Sequence, residues 1–129
     1  MHRTVIQPAS IVDPRPRYSQ GIATEGGRLL FIAGQTSVDA TGAVVGAGDI
    51  ERQAIQVFEN IRAVLEAAGG TFASLVMTTT YLTDIAQRAP FSAVRARYYG
   101  SDVPASTLVV VKALAHADLL VEVDAIAVI

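Results

Sequence analysis

Two carboxylates, Glu122 and Asp124, stand in an otherwise apolar run, Leu119–Val128. A β strand sends alternate side chains to opposite faces. Val121, Val123, Ala125, Ala127 and Ile129 therefore share one face, and Leu120, Glu122, Asp124, Ile126 and Val128 the other. An unpaired buried charge is costly, so the acidic face is either wet or built around a site. In the functional reading Glu122 is a general acid/base in a partly apolar cleft. In the structural reading it is a sheet-edge carboxylate in water, paired with Lys112 on the neighbouring strand. Asp124 lies about 7 Å further along and couples to Glu122 only through water or a shared cation.

The remaining chemistry-bearing residues are sparse. Tyr18 follows the stiff segment Asp13-Pro14-Arg15-Pro16 and is flanked by Arg17, which suits either the wall of a binding cleft or packing on a sheet. Ser106 and Thr107 stand where Pro104 delivers the chain into a strand. Their hydroxyls either contact an anion or simply serve strand entry. His2 and His116 are the only histidines and form no metal-binding pair. No Gly-x-Ser-x-Gly elbow is present. The pairs Gly26-Gly27 and Gly69-Gly70 lack a phosphate-loop lysine and read as turn and helix-end glycines. There is no cysteine, which excludes disulfides, a thiol nucleophile and zinc–thiolate sites. No cofactor or metal is expected.

Composition narrows the partners. Charged residues make up 17% of the 129, below the usual ~25%, and hydrophobic ones 51%. So few charges on a small chain imply that some surface is covered in an oligomer. The net charge of −2 and the absence of a basic run argue against nucleic acid. No run approaches membrane-spanning length and the first ten residues lack a signal core, so the expectation is a cytoplasmic protein with no membrane partner. The length suits a single domain over residues 1–129.

The elements that must position these residues follow from local pattern. Thr4–Ile6 suits a short edge strand. Gly21–Thr24 and Arg28–Ala33 read as a hairpin turned by Glu25-Gly26-Gly27, and Asp39–Gly46 as a smaller turn. Asp49 caps a helix whose apolar stripe runs through Ile50, Ala54, Val57, Phe58, Ile61, Val64, Leu65 and Ala68 until Gly69-Gly70 ends it. Leu75–Leu82 is a strand. Pro90 suits the first turn of a second helix carrying Phe91, Val94 and Tyr98 on one face, and Gly100 stops it. Thr107–Leu114 and Leu119–Val128 are the last two strands, separated by a break at Ala115–Asp118. The order is β-β-α-β-α-β-β, an α+β pattern. Two helices cover only one side of such a sheet, yet Leu29–Ile32 and Leu108–Val111 are apolar on both sides. Another copy of the chain is the simplest cover for the second side.

The segments YSQGI, FIAGQ, GDIERQAIQVFENIRAVLEAAGG, TTYLTDI, PAST and LLVEVDAIAV, in this order along nearly the whole chain, resemble the Rid family (RidA/YjgF, also labelled endoribonuclease L-PSP). The resemblance implies a chorismate-mutase-like fold: a mixed sheet with two helices on one face, assembled as a barrel-like homotrimer with a small-molecule ligand in clefts between subunits. It also implies hydrolysis of enamine/imine intermediates to a carbonyl compound and ammonia. Family site positions fall on Tyr18, Gly34, Ser92, Ser106, Thr107 and the catalytic Glu122. The family's carboxylate-binding arginine, within Pro-Ala-Arg-Ser, is replaced by Ser106 in Pro104-Ala105-Ser106-Thr107. A charge-assisted contact is worth on the order of 1.5–3 kcal/mol against 0.5–1.5 for a neutral one, so 2-imino-acid hydrolysis is expected to be weak unless Arg17 or Arg95 substitutes. The alternatives are a non-catalytic ligand-binding or protein-interaction trimer and, from the older label alone, an endoribonuclease.

Overall fold

A computed structural model describes residues 1–129. Six strands and two helices appear in the order β1 (His2–Ile6), β2 (Gly21–Glu25), β3 (Leu29–Thr36), α1 (Ile50–Ala67), β4 (Leu75–Leu82), α2 (Arg88–Tyr98), β5 (Ala105–Val110) and β6 (Val121–Val128). The fold is α+β, with both helices on one face of a four-stranded sheet ordered β3-β6-β4-β5. The sheet is mixed: β6 runs antiparallel to β3 and β4, while β4 and β5 are parallel.

The helix-covered side is the core. Asp49 accepts from the Arg52 amide at 3.1 Å, satisfying a free donor at the start of α1. The stripe of α1 then lays Ala54, Val57, Phe58, Ile61 and Leu65 on Val121, Val123, Ala125 and Ala127 of β6. Phe58 stacks on Phe91 of α2 at 5.7 Å and on Tyr98 at 5.0 Å, which fastens the helices to each other. Each such buried large side chain contributes roughly 1.5–3 kcal/mol.

Three expectations need correction. The hairpin over Gly21–Ala33 does not form: β2 pairs with β1 and β3 with β6. Gly27, at φ 83°, presses instead on the C-terminus, where an added Cβ would lie 2.8 Å from Val128 Cγ1. Arg28 and Ile129 exchange backbone hydrogen bonds there. The β1–β2 ribbon is a separate sheet that reaches towards the β5 edge, where Arg3 Nη2 donates to the Val103 carbonyl at 2.8 Å. Second, β5 ends at Val110 rather than Leu114, and β6 begins at Val121. Buried Gln53 holds the intervening loop by donating to the Asp118 carbonyl (2.7 Å) and accepting from the Leu120 amide (2.8 Å). Third, Lys112 is not beside Glu122: the neighbours of β6 are β3 and β4, and Lys112 lies exposed beyond the end of β5.

Alternation in β6 is as expected from sequence, and it decides the second side of the sheet. Leu29 and Phe31, on that side, are 65% and 70% exposed, and Val109 is exposed on the same side at the opposite edge of the sheet. No helix of the chain is long and apolar enough to cross a membrane.

Candidate functional site

The candidate residues fall into two groups on opposite faces of the sheet. Thr78 of β4 is level with Ala125 of β6 and Ser106 of β5, and it is buried on the helix side. Its hydroxyl donates to Ser106 Oγ at 3.2 Å, which leaves the Ser106 proton free for a further acceptor. One residue on, Thr79 is level with Asp124 and Thr107, so these three face the other way. Thr107 is exposed there and does not join Ser106.

On the helix side, Ser106 opens into a cavity of about 900 Å³ between the β5 edge and the start of α2. Tyr18 and Ser92 line it too. Tyr18 arrives on a braced loop. Arg15 donates twice to Asp13, at 2.9 and 2.7 Å, and these hydrogen bonds hold the Asp13 carboxyl down to about 2. The Arg17 amide closes a turn on the Pro14 carbonyl. Ser19 then clasps the entry to β5, its amide donating to the Pro104 carbonyl and its hydroxyl to that of Val103 at 2.7 Å. Tyr18 is thus fixed between two anchored neighbours.

Arg17, Arg88 and Arg95 line the same cavity, and no carboxylate does. Arg95 is 8% exposed, and its stem packs so that the guanidinium lies 5.7 Å from the Phe91 ring centre. Burial first, then repulsion from Arg88 and Arg17, pulls its pKa below the usual arginine range, although a guanidinium stays charged at any physiological pH. A buried cation without an anion is costly. Arg17 and Arg95, expected as possible substitutes for the clamp, do line the cavity, whereas Arg88 was not expected there, because a helical Arg ordinarily reads as a solvated face.

On the open face, Glu122 lies against Gly34: a Cβ there would sit 2.8 Å from the Glu122 carboxyl carbon and collide with its oxygen. Glycine at 34 is what lets the carboxylate lie flat on β3, where the register slips between Ile32 and Gln35. Tyr81, level with Glu122, donates to Asp124 Oδ2 at 2.9 Å. That hydrogen bond, with desolvation and the charges of Asp124 and Glu122 adding to it, raises the Tyr81 pKa above the ordinary phenol. Asp124 is therefore engaged by Tyr81 while Glu122 has no ion-pair partner. The signal for Tyr81 was present in sequence only as an aromatic in a strand.

The family model for Endoribonuclease L-PSP matches residues 9–129. A crystal structure from Yersinia pestis, of the Rid-family protein YyfB, superposes with a TM-score of 0.91 at 37% identity over 100% of both chains. The chain belongs to the Rid family. RidA from an Antarctic Psychrobacter shares 33% identity with this Rid protein over 98% of this chain and 99% of that one, at a TM-score of 0.75. Among curated relatives, a RutC family protein of Pyrococcus horikoshii is 42% identical over 88% of this chain and 90% of its own. Protein DfrA of Myxococcus xanthus is 39% identical over 86% and 84%. Of the residues expected at the site, Tyr18, Ser92 and Ser106 share one cavity in this Rid chain, whereas Gly34 and Glu122 share the opposite face.

Proposed function

We propose that this Rid protein binds a small anionic metabolite in clefts between the subunits of a homotrimer and hydrolyses an imine there. The cavity carries the reading: Tyr18, Ser92 and Ser106 open onto a space with an unpaired, nearly buried Arg95. Ser106 replaces the family's clamp arginine, but a guanidinium enters the same cavity from α2 and another from the Tyr18 loop. A substrate carboxylate is held by Arg95 or Arg17, whose planar fork suits a bidentate contact, with Ser106 donating a further hydrogen bond.

Glu122 of an adjacent copy supplies the chemistry. The exposed apolar face of the sheet supports such an assembly, since Phe31 and Leu29 lie open beside the acids. The carboxylate takes a proton from water as the oxygen adds to the imine carbon, and the nitrogen gains a proton. The resulting carbinolamine collapses as its hydroxyl proton passes through the carboxylate to the nitrogen, the C–N bond breaks, ammonia leaves and the carbonyl remains. Water and imine are consumed and no redox partner is needed.

A binding-only trimer is the competing reading, favoured by one observation: in a single chain Glu122 does not reach the cavity. Generating an imino acid in situ and following carbonyl formation separates the two. Turnover by the wild type that drops at least a hundredfold in Glu122→Gln, with ligand-induced thermal stabilisation retained, is the expected result. Stabilisation by the ligand without turnover in the wild type assigns the protein to binding alone. Ser106→Arg, which restores the family clamp, is expected to speed hydrolysis of monocarboxylate imines.

A further inference from the structure

The cavity is more cationic than one carboxylate requires. A single guanidinium satisfies a carboxylate bidentately, yet Arg17, Arg88 and Arg95 all line this space and none forms an ion pair. Elsewhere Arg3, Arg15, Arg62 and Arg97 each find a carboxylate, and Arg28, Arg52 and Lys112 stand exposed and unpaired outside the cavity, in a chain whose net charge is −2. The cavity differs in gathering three unpaired cations around one space. Its shape divides it as well. A second compartment of about 260 Å³ adjoins the larger one, and Arg17, Ser92 and Arg95 line both. Arg88 lines only the larger, at the first turn of α2, where the helix dipole adds to its positive field. A monoanion placed at Arg95 leaves Arg88 and Arg17 uncompensated. A second anionic group on the same molecule compensates one more of them and reduces that repulsion.

We propose that the ligand of this cavity carries two anionic groups, one held at Arg95 and Arg17 where the compartments join and the other at Arg88 in the larger compartment. This deepens the reading of the cavity as the ligand site and concerns binding only. Carboxylate and phosphate both meet the requirement, so the probes include each.

The test is calorimetric titration of the full chain with succinate against butyrate, which has the same carbon count, and with phosphoglycolate against glycolate. The member with two anionic groups in at least one pair is expected to bind about tenfold tighter or more at low salt, with the ratio shrinking as salt rises. A preference for succinate marks a dicarboxylate ligand, and one confined to phosphoglycolate a phosphorylated one. Arg88→Met is expected to bring the ratio towards one. Arg97→Met, whose arginine pairs with Glu51 outside the cavity, is expected to keep it. Ratios within twofold of one in the wild type, or a ratio untouched by Arg88→Met, overturn the inference. Imine turnover by the wild type, followed beside these titrations, separates the two claims. An intact dianion preference in protein that never turns over imine removes the hydrolysis alone, and turnover without that preference removes the dianion alone.

Discussion

The two faces of the four-stranded sheet carry opposite charge for different structural reasons. On the helix side, guanidiniums converge from the Tyr18 loop and from α2, and Ser19, Phe91 and Thr78 anchor the elements that carry them. On the open side, two carboxylates lie in one strand among exposed Leu29, Phe31 and Val109. A sheet is a wall, and adjacent residues of a strand cannot reach through it. A site that needs both the cationic cavity and Glu122 must be completed by a second chain, and the uncovered apolar face beside the acids is where one would bind.

Complementation gives the largest expected effect. Neither Glu122→Gln nor Arg95→Met alone is expected to retain more than about a hundredth of wild-type imine hydrolysis. Trimers re-assembled from an equal mixture of the two are expected to recover activity in about a quarter of their clefts, because the intact halves come from different chains. Recovery absent at every mixing ratio, with the mixed assembly verified by mass, would mean that both halves serve the same chain. Phe31→Glu places a charge on the open apolar face. Light scattering is expected to show single chains with unchanged far-ultraviolet circular dichroism, and an unchanged assembly would move the interface elsewhere.

Gly34→Ala is a smaller intervention. The new methyl displaces the Glu122 carboxylate by about an ångström, and misplacement on that scale costs up to roughly a hundredfold in rate. The far end of a flexible side chain absorbs the clash, so the melting temperature is expected to change little. A rate equal to wild type would detach Glu122 from the chemistry. The smallest effect concerns Tyr81. Its folded pKa lies above the unfolded value, so its bond to Asp124 contributes stability that is full below the unfolded tyrosine pKa of about 10 and is lost as pH rises through the folded value. Ultraviolet titration is expected to show one late-ionising tyrosine whose transition moves to lower pH in Asp124→Asn. An unmoved transition would deny the contact.

Local periodicity was enough for much of this protein. The cap at Asp49, the stripe from Ile50 to Leu65, the alternation of β6 and the strand Leu75–Leu82 are set by residues near one another in the chain, and each was legible. Alternation even separated Glu122 from the core. Hydrogen-bond partners of strand edges were not legible: Gly26-Gly27 suit a hairpin turn, but β2 and β3 found other partners, because pairing is decided by which edges meet across long stretches of chain. The loop before β6 escaped for a similar reason, since Gln53 holds it from a helix far away in sequence. Of the cationic cavity, Arg17 and Arg95 were legible only as possible substitutes for the clamp, and Arg88 escaped altogether. Positions 17, 88 and 95 have no common pattern, and only packing the loop, α2 and β5 together brings three like charges around one space and leaves them without an anion.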